Sequence, residues 1–171
     1  MAMLDIYKLG DEILSKKCKR VEKFDSSISL LVDAMFETMD EDNGVGLAGP
    51  QVGVDFRLFV IDDQDGHRLA FINPEIIETS VETIDMEEGC LSIPNVYHDV
   101  ERAAQVSIQA QDVNGKSFKI EHANGLLARA IQHENDHLNG VLFIDRLSEK
   151  EKEKMVAKYY KKNHIKKADR R

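Results

Sequence analysis

The chain has 171 residues, 42% of them apolar and 32% charged, with seven Phe, four Tyr and a net charge of −8. That length and apolar content suit one domain with a substantial core. No run of about 18 apolar residues and no apolar leader occurs, so neither a membrane span nor a secretory signal is expected. The cytoplasm is the expected compartment. There the only two cysteines, Cys18 and Cys90, are not expected to pair, and neither DNA nor a membrane is expected as a partner.

The first periodic segment covers residues 26–39, with apolar side chains at 28, 31, 32, 35, 36 and 39, a stripe that predicts a helix packed on a sheet. A loop follows, Gly44-Val45-Gly46-Leu47-Ala48-Gly49-Pro50-Gln51-Val52-Gly53, with four glycines in ten residues that let backbone approach a ligand. It lacks the lysine-serine or lysine-threonine pair of a phosphate loop and the spacing of a dinucleotide fingerprint. Gln51 carries an uncharged amide that can donate to an oxyanion without competing as a metal ligand; a polar residue closing a loop is the plain alternative.

Short strands are expected at 56–61, 69–72 and 81–86. The last leads into Glu87-Glu88-Gly89-Cys90-Leu91-Ser92-Ile93-Pro94, where Cys90 stands either as a thiolate at a strand end or as a small buried hydrophobe. Segments 105–111 and 116–122 alternate around Asn114-Gly115, a hairpin signal.

Leu126, Leu127, Ala130, Ile131 and Leu138 then define a helix with Asn124 as N-cap and Gly140 beyond its end. It carries His133-Glu134-Asn135-Asp136-His137, an H-E-x-x-H sequence. Two imidazoles four residues apart on a helix can share one metal ion, and the intervening Glu134 can take a proton from water activated by that ion. A solvated polar helix face fits the same five residues. Three protein ligands are usual in a catalytic site. Downstream, Phe143 stands where a metzincin-like pattern needs histidine, and Glu149, Glu151 and Glu153 lie in a lysine-alternating, exposed segment. Cys90 upstream is the better candidate. Asp136 is a local acid suited to support a ligating histidine from outside the coordination sphere.

Residues 147–171 carry a net +6, against −14 for the remainder. Ser148 and Glu151 form a capping-box pattern, and Met155, Val156 and Tyr159 a stripe, so a helix is expected through about residue 160. Either it docks on its own domain or its basic tail meets a phosphate backbone.

The three segments G-V-G-L-A-G-P-Q, E-G-C-L-S and Q-H-E-N-D-H, in this order and spacing, resemble the bacterial peptide deformylases, and the similarity runs from Leu4 to about Leu147. The resemblance implies an α+β single domain of short antiparallel strands around a central metal-binding helix, with 1–147 as catalytic body and 148–171 as basic C-terminal helix and tail. It implies removal of the formyl group from the N-terminal formylmethionine of nascent peptides. Cys90, His133 and His137 would hold one divalent metal, natively Fe²⁺, with Zn²⁺, Ni²⁺, Co²⁺ or Mn²⁺ compatible with soft sulfur and two imidazoles. Glu134 would be the general base, and the Gln51 side chain and Leu91 N–H would meet the oxyanion. Substrate would lie between Gly46 and Gly89, with its methionine in a pocket near Met86, Leu126 and Ala130. Glu88 and Arg102 resemble a buried ion pair behind the metal; a surface pair is the alternative. In relatives with a similar terminal helix, that helix contacts the ribosome.

Three residues depart from the family pattern: Gly49 replaces a usual alanine, Tyr97 an arginine common on the cleft rim, and Arg129 an apolar residue bordering the methionine pocket. Two rivals share the H-E-x-x-H signal, a zinc endopeptidase and an unreactive metal-binding module.

Overall fold

A computed structural model describes residues 3–170. Strands β1 (Gly46–Ala48), β2 (Leu58–Asp62), β3 (Arg68–Thr79), β6 (Val106–Gln111) and β7 (Ser117–Ala123) form one antiparallel sheet in the order β1-β2-β3-β6-β7. A separate hairpin pairs β4 (Thr83–Cys90) with β5 (Ile93–Ala103). Three α-helices complete the domain: α1 (Ser26–Glu41), α2 (Gly125–Leu138) and α3 (Glu149–Lys162).

The apolar run of β2 is explained by burial on both faces. Leu58 and Val60 pack with Val32, Met35 and Met39 of α1, whereas Phe59 and Ile61 pack with Leu127 and Ile131 of α2. The helices therefore cover opposite sides of the sheet. A third cluster joins Ile93, Val96 and Val100 of β5 to Phe143, Ile144 and to Met155 and Tyr159 of α3, so the C-terminal helix docks on its own domain.

Local signals place these elements. Asp25 caps α1 by accepting from the Ser27 N–H, and Ser148 caps α3 by accepting from the Glu151 N–H. The β6–β7 turn puts Gly115 at φ +80°, the left-handed conformation a hairpin loop needs.

Several expectations need correction. The strand expected at 81–86 is displaced to Thr83–Cys90, with Val81 fully exposed in the turn. The strand expected at 69–72 runs on to Thr79, and its last residues, Ile77, Glu78 and Thr79, are all exposed. β5 gives no simple alternation because its inward positions include Arg102 and its start carries Pro94. The glycine-rich segment is part strand and part 3₁₀ turn (Gly49–Val52).

Candidate metal centre

β4 delivers Cys90 at a register shift just beyond Glu88, and α2 delivers His133 and His137 from successive turns of one face. Their ligand atoms lie within 4.8 Å of one another, with Cys90 Sγ 3.3 Å from His137 Nε2. Both imidazoles are buried, which removes the competing hydration that a surface histidine keeps.

Glu88 fixes the ring of His133, its Oε1 lying 2.8 Å from Nδ1. Burial alone would raise the Glu88 carboxyl, but bonds from His133 and Arg102 hold it at about 2, so the carboxylate accepts and His133 Nε2 is left for a metal. Burial works against charge on His133 too, yet Glu134, Cys90 and Glu88 outweigh it and raise its pKa. Surroundings that hold a proton there suit a divalent cation. His137 is pushed the other way, by burial and by His133 and Arg102, toward the neutral form that ligates.

Behind Glu88 lies a network that is buried at Arg102 and Asp136 and reaches the surface at Arg146. Arg102 donates from Nε to Glu88 Oε2 at 2.6 Å and from a terminal nitrogen to Asp136 Oδ2 at 2.8 Å, and Arg146 binds the same Asp136 at 2.6 and 3.0 Å. The Glu88–Arg102 pair is thus interior. Asp136 supports no histidine directly: it reaches the site through Arg102. Arg146 went unread in the sequence because its role depends on a chain reversal that no local pattern encodes.

Glu134 is buried beside the ligands, its Oε2 4.0 Å from His133 Nε2, and its Oε1 has no partner among the described residues. Burial is the main cause that raises its carboxyl to about 7, with His133 pulling the other way. Gly46 makes room for it: a Cβ there would lie 2.6 Å from Glu134 Oε2. Gln51 is 1% exposed. Its Oε1 accepts from the Ala48 N–H, which orients Nε2 toward Cys90 Sγ at 3.4 Å and Ser92 Oγ at 3.1 Å. Ser92, 0% exposed, was passed over because a serine in a turn carries no chemistry by itself. Leu91 occupies the turn between β4 and β5.

These groups open into a cleft of about 540 Å³ lined by Gly46, Gln51, Gly89, Leu91, Leu126, Arg129, Ala130 and Glu134. Met86 is not among the lining residues, although strand alternation puts it on the same face of β4 as Glu88, which lines the cleft. The three departures also find places. At Gly49 a Cβ would lie 2.8 Å from the Phe56 carbonyl oxygen, so glycine suits the close backbone crossing here. The Tyr97 ring lies directly over Gly89 and is 59% exposed on the rim. Arg129 is buried and joins Glu88.

Cysteine, two histidines and an adjoining buried glutamate fit one divalent metal, and the fold and site define a metal-dependent hydrolase of the H-E-x-x-H type with a cysteine placed where a third ligand would stand. The polypeptide deformylase family model matches residues 3–153, and the chain belongs to that family. Peptide deformylase 1 of Clostridium perfringens is 55% identical over 146 residues, 85% of this chain and 98% of that protein. Peptide deformylase of Chromobacterium violaceum is 48% identical over 164 residues, covering 95% and 97%. A crystal structure of a Legionella pneumophila peptide deformylase superimposes with a TM-score of 0.91 at 43% identity, covering 96% and 97% of the two chains. The Ehrlichia chaffeensis enzyme in complex with actinonin gives 0.89 at 38% identity, covering 96% and 100%. Among the described residues no helix is long and apolar enough to cross a membrane.

Proposed function

We infer that this chain hydrolyses the formamide of N-terminal formylmethionine on nascent polypeptides, releasing formate and a free amino terminus. The observation that carries this reading is the Cys90–His133–His137 triangle, its two imidazoles buried and its thiol on the cleft, with an oxygen of Glu134 beside it that has no partner among the described residues, in a cleft bordered by the sheet-edge strand β1.

Cys90 Sγ and the two imidazoles would hold one divalent ion, whose bound form supplies Lewis acidity to water and to the formyl oxygen. Glu134 takes a proton from the attacking water and passes it to the amine nitrogen as the C–N bond breaks. Gln51 Nε2 and the Leu91 N–H donate to the oxyanion that develops on the formyl oxygen. The substrate main chain adds as a strand between Gly46 on β1 and Gly89 on β4, so affinity comes from backbone bonds and sequence tolerance follows. The first side chain enters between Leu126 and Ala130.

Fe²⁺ is proposed as the native ion and the cytoplasm as the compartment. The ribosome is proposed as a partner of the basic C-terminal segment, whose net +6 suits a phosphate backbone.

Glu134→Ala tests the chemistry. The variant is expected to keep one equivalent of metal while formate release falls about a thousandfold. Normal turnover in that variant would remove Glu134 from the proton transfer.

A further inference from the structure

Arg129 is a buried cation in a pocket otherwise suited to an apolar side chain. It stands one helical turn before His133 on the same face of α2, and it lines the cleft with Leu126, Ala130 and Gly46. One terminal nitrogen donates to Glu88 Oε2 at 2.8 Å and to the Val100 carbonyl at 2.7 Å, and the other donates to the Ile84 carbonyl at 2.6 Å.

Glu88 does not depend on it, because Arg102 already donates to both of its oxygens, at 2.6 and 3.0 Å, and His133 Nδ1 lies 2.8 Å from one of them. A guanidinium has five N–H donors. Three are committed, leaving Nε–H and one terminal N–H without partners among the described residues, on a side chain only 6% exposed. Its Nε is not fully enclosed, and the residue lines the cleft, so an acceptor in the cleft can reach it. A thioether is a weak acceptor. A sulfoxide oxygen is a strong one, carried at the same position along the same side chain.

We propose that Arg129 is a specificity-determining residue that extends the substrate range of this cleft to peptides beginning with formylmethionine sulfoxide, by donating its free N–H groups to the sulfoxide oxygen. The hydrolysis is unchanged: the formyl C–N bond is cleaved by water and the sulfoxide is neither reduced nor oxidised. Because the donor is fixed by three bonds to the protein, one sulfur epimer is favoured over the other. The proposal rests on the deformylase reading above.

The test compares kcat/KM of the metal-loaded full chain for formyl-Met-Ala-Ser and for each epimer of its methionine sulfoxide counterpart. The better epimer is expected within about thirtyfold of the thioether peptide, with the two epimers unequal. Arg129→Met, which keeps the stem's length and removes the donors, is expected to lower the sulfoxide-to-thioether ratio at least tenfold, an effect of about the size of one lost buried hydrogen bond. Arg129→Lys, which keeps a charged donor, is expected between them. A purely structural role, stapling β4 and β5 to α2, would lower both activities together and leave the ratio unmoved. An unmoved ratio would overturn the proposal, as would a wild-type gap larger than about thirtyfold or, should neither variant fold, equal rates for the two epimers. Release from neither peptide would overturn the deformylase reading itself, and the proposal with it.

Discussion

At the scale of single residues, the site separates groups by what burial does to each. Gln51 is neutral, so burial costs it little once Ala48 and Ser92 satisfy its amide, and its donor end is set before any substrate arrives. Gln51→Ala is expected to lower kcat/KM for a formylated peptide by about a hundredfold, the usual loss for one oxyanion donor, while the melting temperature falls by only a few degrees. Wild-type turnover in that variant would contradict the oxyanion role. The two cysteines differ in the same way. Burial pushes the Cys18 thiol up to about 11, with Asp55 adding to it, so at neutral pH it is protonated and unreactive. Cys90 lines the open cleft. Metal-free folded protein is therefore expected to react through one thiol with a disulfide reagent, and metal-loaded protein through none; two thiols reacting at equal rates would show that Cys18 is not enclosed.

Among elements, α2 was legible because a 3.6-residue apolar stripe and the H-E-x-x-H sequence share one helix, and the structure gives Gly125–Leu138. α1 followed from its stripe and α3 from its stripe and cap, as did the β6–β7 hairpin from its turn. β5 was not legible. Among the described residues its inward-facing Arg102 is satisfied by Glu88 and Asp136, 14 and 34 positions away, and no local pattern marks a charge as interior when its partners are distant. The candidate ligands Cys90, His133 and His137 could be named from motifs, and Glu88, Arg102 and Asp136 could be proposed around them; the bonds of Arg146 to Asp136 and of Arg129 to Glu88 could not. α3 illustrates a mixed case. Its apolar stripe docks through Met155 and Tyr159, leaving a basic outer face and the 164–170 tail. Truncation after Asn163 keeps the contacts of Asn163 to Pro94 and Asn95, and is expected to preserve activity on short peptides while weakening low-salt co-sedimentation with ribosomes. Unchanged co-sedimentation would remove the tail from that role.

Across the whole molecule, the metal centre sits where three cores meet. α2 belongs to the cluster on one face of the sheet, Leu91 packs against the cluster on the other face, and Cys90 packs against the cluster beneath β5 and α3. A bound ion would tie these units together, so the fold presents its ligands rather than depending on a single loop to gather them. The cleft opens beside β1, at the end of the five-stranded sheet, where an extended peptide can find unpaired backbone groups.

The central claim is tested most directly by formate release from formyl-Met-Ala-Ser, using anaerobically purified protein with and without chelator treatment. Chelator-sensitive release, restored by adding back a divalent metal, is the predicted result. No release from protein shown to carry one metal ion at Cys90, His133 and His137 would contradict the account and favour a peptidase or an unreactive metal-binding module.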